Sequence, residues 1–345
     1  MVDLKQEKIL VTGGTGFIGG YLLLYLVQQG YTNITALRRS KSRLDLVAPI
    51  ASKINWVECD LLDQPYLEDA LEGVSYVFHC AAKVSFDPAD RKSMFQTNVE
   101  GTAYLVNAAL THRIKKLIHV SSVAALGRGK NTKFITENTK WEWSKYNSYY
   151  GISKYQAEQE IWRGVAEGVS AVVVNPSIVI GSGFWDNGGT QRFFKLMSKG
   201  FSFYPKGNSG FVDVRDVAKY MILLMESEVQ NERFILNHSN WLYKDFFATI
   251  SKHLGAKAPS VEVSPLLQEM VWRLERIKSI FSQKSPFITK ETARQSSRIF
   301  YYKNNKSLEY FDFGYTPLHE TIRATCQQFS LSKEKGLPAM TLELL

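Results

Sequence analysis

Cysteine is scarce in this chain. Cys59, Cys80 and Cys326 are the only three among 345 residues, and no two of them form a CxxC pair. That excludes a disulfide framework and a cysteine-built zinc site. Cys59 and Cys80 end apolar runs, where a free thiol behaves as a small hydrophobe. Histidine is sparse too: the six present do not cluster with carboxylates at ligand spacing, so no metal is expected. No apolar run reaches the roughly 18 residues that a membrane helix needs. The longest candidate, 18–27, is about half that and carries glycine and tyrosine. The opening residues, MVDLKQEKILVTGG, lack the charged-then-apolar design of a signal peptide. No membrane span is expected, and the expected location is cytoplasmic.

Internal repeats and low-complexity tracts are also missing. Negative charge is in deficit, and the formal net charge is +9. A basic excess suits nucleic acid, an anionic membrane or an anionic ligand. Here the basic residues are scattered and no nucleic-acid-binding motif accompanies them, so nucleic acid is not an expected partner. The one tight cluster is Arg38, Arg39, Lys41 and Arg43.

What the chain does have is alternation. Residues 8–12 (KILVT) form a short apolar run, as a buried parallel strand does. Helical periodicity covers 17–29 and stops at Gly30. Further strands are expected at 33–37, 54–59, 74–80, 116–121 and 171–175, with helices at about 91–112 and 147–167. Strand–helix units of this length imply an α/β chain: a Rossmann doubly wound parallel sheet. After Pro176 the pattern changes to glycine, aromatic and polar residues, with helices expected near 190–199, 214–225, 243–254, 264–281 and 317–328 and a strand near 233–236. The expected organisation is a dinucleotide-binding domain over 1–178 and about 211–240. A smaller, discontinuous C-terminal substrate-binding region takes about 179–210 and 241–330, and 331–345 is a loosely held tail. The stripe Leu266, Leu267, Met270, Val271, Leu274 and Ile277 is expected to pack on its own domain rather than on a membrane.

The first strand runs into TGGTGFIGG. Gly13, Gly16 and Gly19 lie three apart, and Gly14 and Gly16 also fit GxGxxG. Between a strand and a helix, such glycines allow a tight turn, a close backbone approach to a pyrophosphate and close helix packing. The pyrophosphate then rests on the helix N-terminus. The second strand ends in Leu37, Arg38, Arg39 and Ser40, with no carboxylate to accept from a ribose 2′-hydroxyl. Two guanidiniums suit a 2′-phosphate instead. NADP(H) is therefore the expected cofactor, with NAD(H) the alternative if these arginines are plain surface charges.

Further on, VSSVAALG is followed by Tyr150-Gly-Ile-Ser-Lys154. Tyrosine and lysine four apart share a helix face. Carbonyl reduction needs a proton donor at oxygen, and a nearby ammonium would ease the loss of a phenolic proton. A serine hydroxyl would steady the substrate oxygen. His79 ends a buried strand and is read as a hydrogen-bonded core histidine.

Taken together, these motifs resemble the extended (atypical) short-chain dehydrogenase/reductases, over about 8–240. TGGTGFIG at 12–19 matches the family's glycine motif. Asp60 and Leu61 resemble its adenine-side pair, and HCAAKV places Ala81, Ala82 and Lys83 beside the cofactor. Asn98 in TNVEGT resembles the family asparagine, which would hold a proton-relay water. Ser122, Tyr150 and Lys154 map to the catalytic serine, tyrosine and lysine. NPSIVIGSG, at 175–183, resembles the loop that closes over nicotinamide. FVDVRDVA, at 211–218, resembles the family's return element. The implied cofactor set is Gly13, Thr15, Gly16, Phe17, Ile18, Gly19, Arg38, Arg39, Asp60, Leu61, Ala81, Ala82, Lys83, Asn98, Tyr150, Lys154, Pro176, Ser177 and Val179. The loop and the arginines are closest in pattern to dihydroflavonol reductase-like members, although Gly181–Ser182 stands where those usually carry Gly-Pro.

The resemblance implies an NADPH-dependent reductase of a small-molecule carbonyl, with Tyr150 as proton donor. Two alternatives stay open: a sugar-nucleotide epimerase or dehydratase that keeps NAD bound, and an NADP(H)-binding regulator without turnover. Phe184, Trp185, Phe193, Phe201, Phe203 and Tyr204 are candidate pocket aromatics. A homodimer on two packed helices is common among such relatives and is one expectation here.

Overall fold

The computed structural model describes residues 3–344 except 130–131, 187–188, 265–266, 268, 271 and 274–288. Its strands are β1 (Ile9–Thr12), β2 (Ile34–Arg38), β3 (Asn55–Glu58), β4 (Tyr76–His79), β5 (Lys116–Val120), β6 (Phe134–Ile135), β7 (Ala171–Pro176), β8 (Ile178–Ile180), β9 (Phe203–Tyr204), β10 (Asn208–Asp213), β11 (Glu232–Leu236), β12 (Ser239–Leu242), β13 (Val261–Glu262) and β14 (Tyr301–Tyr302). The helices that matter here are α1 (Phe17–Gln28), α2 (Gln64–Ala70), α3 (Arg91–Phe95), α4 (Gly101–Thr111), α5 (Tyr149–Ala166), α6 (Gln191–Met197), α7 (Val214–Glu226) and α8 (Tyr243–His253).

Seven strands form one sheet in the order β11-β7-β5-β4-β1-β2-β3, and every pairing in it is parallel. Strand side chains alternate faces, and here both faces are covered. Ile9, Val11, Ile118, Val120, Val172 and Val174 face a core shared with α1 and α7. Leu10, Leu117, Ala171 and Val173 face a second core with Leu105 and Val106 of α4 and Ile161 of α5. This double burial is why these strands read as continuous apolar runs. Strand order reverses between β1 and β4, and ligands bind doubly wound sheets in the crevice at that point.

The α/β Rossmann sheet agrees with expectation, and the small differences have causes. The single helix expected over 91–112 is three pieces: α3, a π-helical turn at Gln96–Glu100, and α4. The wide turn inserts one extra residue per turn and lets Asn98 point inward (below). β8, β10 and β12 make a separate three-stranded sheet. It packs with α6, α8 and the helix Leu318–Lys335 around a third core containing Phe194, Phe211, Phe246 and Ile322. The 211–218 element therefore straddles both bodies: Phe211, Val212 and Asp213 pair with β8, and α7 returns to the Rossmann core. The helix expected over 264–281 lies largely outside the described residues, including Leu266, Val271, Leu274 and Ile277 of its stripe.

The C-terminus is not a loose tail. The last helix runs to Lys335 and is closed by Gly336 at φ +65°. The chain then docks beside the glycine loop. Met340 N–H donates to Gly183 O (3.2 Å) and Ser182 Oγ donates to Met340 O (2.6 Å). Leu342 is 3% exposed, and its N–H donates to Tyr21 Oη at 2.6 Å. Apolar residues at 337, 340, 342 and 344 give the segment a surface to bury, and the side chains that receive it lie in distant elements.

Candidate active site

The crevice begins at the glycine loop. Gly13 has φ +70°, and a Cβ there would meet Ala81 N at 2.6 Å. A Cβ on Gly19 would meet Gly13 O at 2.2 Å, so α1 lies against the loop more tightly than any side chain permits. Gly16 differs: its Cβ would meet only Gly13 O, at 3.2 Å, and beyond that the space is open. It caps α1, whose first N–H groups face the opening. Thr15, Phe17 and Ile18 line the same turn and are partly exposed.

Around this turn the expected cofactor residues converge from several strand ends. Arg38 closes β2, and its Nε is buried with no hydrogen-bond partner among the described residues. Arg39 is exposed beside it. Arg43 is spent elsewhere: it forks onto Asp45 (Nε–Oδ2 3.0 Å) and Asp186 (Nη1–Oδ2 2.8 Å) and lies 4.7 Å over the Phe184 ring. It therefore ties the segment after β8 to the basic turn, with its charge met by two carboxylates. Asp60 is exposed and accepts from Leu62 N–H at 3.0 Å, while Leu61 is buried. Ala81 and Ala82 follow β4. Pro176 ends β7, Val179 lies in β8, and between them Ser177 Oγ is buried without a partner among the described residues. An open cradle at Gly16, an orphaned guanidinium nitrogen and an orphaned hydroxyl fit an anionic, hydroxyl-rich dinucleotide.

Ser122, Tyr150 and Lys154 come together at the end of β5. Ser148 caps α5 by accepting from Gly151 N–H at 3.0 Å. Gly151 lets the first helical turn abut the 123–125 turn, since a Cβ there would meet Ala124 O at 2.8 Å. Tyr150 thereby comes close enough to Ser122 for the serine to act on its pKa. Burial raises the Tyr150 pKa. Ser122 Oγ also accepts from Ala124 N–H at 3.1 Å. Phe86 packs edge-on against Tyr150, with centroids 5.7 Å apart. Lys154 is 1% exposed, and burial depresses its pKa to about 8, opposed by the charge of Glu158. Its ammonium donates to Val120 O at 2.9 Å. Among the groups that shift the Tyr150 pKa, Ser122 lowers it. Ser121 is the strand residue, turned away to donate to Glu158 Oε2 at 2.7 Å.

Asn98 is buried, and both ends of its amide are hydrogen bonded. Oδ1 accepts from Lys83 N–H (2.7 Å), and Nδ2 donates to Lys83 O (3.0 Å) and to Ser153 Oγ (3.0 Å). The side chain thus fixes the loop after β4 against α5. Lys83 reaches sideways to Asp90 at 2.6 Å and Ser93 at 2.8 Å.

A second buried chain of bonds escaped the sequence reading. Ala81 N–H donates to Thr12 Oγ1 (3.3 Å), whose hydroxyl donates to His79 Nδ1 (2.7 Å). His79 Nε2 donates to Thr102 Oγ1 (2.9 Å), which donates to Asn98 O (2.6 Å). The directions follow from Thr102 having only Asn98 O, a pure acceptor, on its other side. Burial keeps His79 neutral, with a pKa of about 3. It is a core histidine, as expected, and it links the glycine loop to the π-turn. Glu158 was also missed, although a carboxylate eight residues after Tyr150 shares its helix face. Most candidate pocket aromatics are core: Trp185, Phe193, Phe201 and Tyr204 pack in the third core, and Phe184 stacks under Arg43.

No described helix is long and apolar enough to cross a membrane, and the described residues hold no group of histidines, cysteines and carboxylates suited to a metal.

A model of the NAD-dependent epimerase/dehydratase family matches residues 9–237. A Synechocystis sp. protein provisionally assigned as dihydroflavonol 4-reductase is 31% identical over 311 residues, 88% of this chain and 89% of that protein. Cinnamoyl-CoA reductase 1 of Petunia hybrida is 28% identical, covering 73% of this chain and 79% of its own length. Among solved structures, gox2253 superposes with a TM-score of 0.79 at 28% identity, over 96% of this chain and 99% of that one. The Thermotoga maritima UDP-glucose 4-epimerase, solved with UDP-glucose, has a TM-score of 0.76 at 22% identity, over 94% and 99%, and speaks for the fold alone. The parallel sheet, its glycine crevice and these relatives agree that the chain belongs to the NAD-dependent epimerase/dehydratase family, among its dihydroflavonol reductase-like members, and is an NAD(P)-dependent oxidoreductase.

Proposed function

We propose that the protein is an NADPH-dependent reductase of a small-molecule aldehyde or ketone, with Tyr150 as proton donor, Ser122 orienting the carbonyl oxygen and Lys154 holding the cofactor. The observation that carries the reading is the meeting of Ser122, Tyr150 and Lys154 at the carboxyl end of β5, where Ser122 influences Tyr150 and Lys154 donates to Val120 O. When bound, the nicotinamide supplies the hydride that a carbonyl carbon accepts. The chain supplies the rest. Tyr150 O–H sits where an alkoxide would develop and can give it a proton. Ser122 Oγ accepts from Ala124 N–H, and its own O–H can turn to a carbonyl oxygen. Lys154 uses one N–H on Val120 O and has two left for ribose hydroxyls. Asn98 positions Lys83 and the loop around it, and Ala81 and Ala82 precede that loop.

Two features support NADPH over NADH: β2 ends without a carboxylate, and Arg38 Nε has no partner among the described residues. Support for a reductase comes from the two relatives whose names describe reductases of aromatic substrates. The decisive test follows NADPH loss against aliphatic, aromatic and CoA-linked carbonyls and against nucleotide sugars. Stoichiometric NADPH loss with a carbonyl, abolished in Tyr150→Phe, is the expected result. Conversion of a nucleotide sugar without net cofactor change would make it an epimerase or dehydratase. Arg38→Ala with Arg39→Ala should weaken NADPH at least tenfold more than NADH. Equal losses would remove the 2′-phosphate argument.

A further inference from the structure

Glu158 is 2% exposed, in the middle of α5, and belongs to no motif that the proposed reaction uses. A buried carboxylate is retained only where donors compensate its lost hydration. Here the donors come from three adjacent strands and its own helix. Oε2 accepts from Ser121 Oγ of the β5 end (2.7 Å) and Asn175 Nδ2 of β7 (2.9 Å). Oε1 accepts from Trp162 Nε1 of α5 (3.3 Å) and lies 3.2 Å from Arg233 Nη2 of β11. Asn175 Nδ2 is shared with Ser122 O at 3.1 Å. The carboxylate thus grips the strand end on both sides of the Ser121–Ser122 peptide. It also lies one turn beyond Lys154, on the face that carries Tyr150, Lys154 and Glu158 at intervals of four.

We propose that Glu158 is a positioning residue: its charge keeps buried Lys154 an ammonium, and its bonds to Ser121 and Asn175 hold Ser122 against Tyr150, while Arg233 sets how much of that charge Lys154 feels. The proposal deepens the reductase reading and rests on it for the consequence in turnover, though not for the electrostatics. The charged and titratable groups around Lys154 are few. On its own helix they are Tyr150 and Glu158. From β4 and the residue after it come His79 and Cys80, and from β5 comes His119. Burial holds both histidines neutral and both Cys80 and Tyr150 protonated. Arg233 stands behind Glu158. Glu158 is therefore the anion of the group, and the one whose removal exposes Lys154 to uncompensated burial.

The test uses the full-length protein with ¹³Cε-labelled lysine, following the Lys154 resonance, assigned by its loss in Lys154→Met, against pH. The wild-type midpoint should fall near 8. Glu158→Gln should lower it by about one pH unit, a tenfold change in acidity. Arg233→Met should raise it, because an unpaired Glu158 acts on Lys154 at full strength. A merely structural role would not give shifts of opposite sign. Unchanged midpoints, or movement in the same direction in both variants, would overturn the proposal. Should Glu158→Gln fail to fold, Arg233→Met alone decides. With a turned-over carbonyl in hand, the alkaline limb of kcat in Glu158→Gln should move to lower pH by the same amount. If no carbonyl is reduced, the titration still stands and only the reductase reading falls. If carbonyls are reduced but the midpoints do not move, only this proposal falls.

Discussion

Lys154 costs the fold something to keep. Its pKa is depressed from 10.5 to about 8 because its ammonium is buried. The folded state therefore holds fewer protons on this group than the unfolded chain between those two values, so stability rises with pH across that window. Below about pH 8 the full cost is present. Lys154→Met should accordingly be more stable than wild type at pH 7, by up to about 3 kcal/mol, and inactive. Denaturant unfolding at several pH values checks this: the gap should close between about pH 8 and 10.5. A gap independent of pH would mean that burial does not depress the lysine's pKa. Tyr150, by contrast, was placed by sequence because Lys154 follows at the one helical interval. Ser122 was separable from Ser121 only through family likeness until the fold turned one toward Tyr150 and the other toward Glu158.

At the scale of elements, the glycine loop and the π-turn show what spacing can and cannot say. Gly13, Gly16 and Gly19 were recognisable because their neighbours are an apolar run and a helical run. Their different duties were not, since those depend on backbone approaches. A contrast follows. Gly19→Ala must push a Cβ into Gly13 O, so it should lower both the melting temperature and NADPH affinity. Gly16→Ala meets only one atom, at 3.2 Å. It should leave the melting temperature within a degree or two and reduce NADPH affinity about tenfold or more, read by cofactor fluorescence. Equal effects of the two variants would mean that Gly16 does not face the cofactor. The π-turn at Gln96–Glu100 was invisible because helical periodicity is too coarse to reveal one inserted residue. His79 was legible as buried but not as a link, since Thr12 and Thr102 are 67 and 23 residues away from it.

Across the whole molecule, the C-terminal segment joins bodies that the sequence separates. Asp213 caps α7 and pairs with Arg215 (2.6 Å), and Thr321 of the last helix donates to the same carboxylate (2.8 Å). Arg215 continues to Glu343 O at 3.1 Å. Burial of Leu342 is worth roughly 2 kcal/mol, and each tail hydrogen bond about 1 kcal/mol. A chain ending at Gly336 should therefore melt several degrees lower. It should also raise KM more than it lowers kcat, because segment 182–185 loses its partner while Tyr150 and Lys154 keep theirs. A truncated chain with unaltered melting and KM would show that the docked tail contributes neither.

The sequence by itself determined the parallel sheet, the dinucleotide loop, the basic end of β2 and the Tyr150–Lys154 pair. All of these are local: they depend on residues within a few positions of each other, where strand and helix periods and steric need act directly. Tertiary structure alone decided what lies far apart in the chain. It chose which serine meets Tyr150, spent Arg43 on Asp186 and gave Glu158 donors from three strands. It also brought the last residues back onto Tyr21. Those outcomes depend on burial, which removes water as a partner and forces each polar group to find another in the fold.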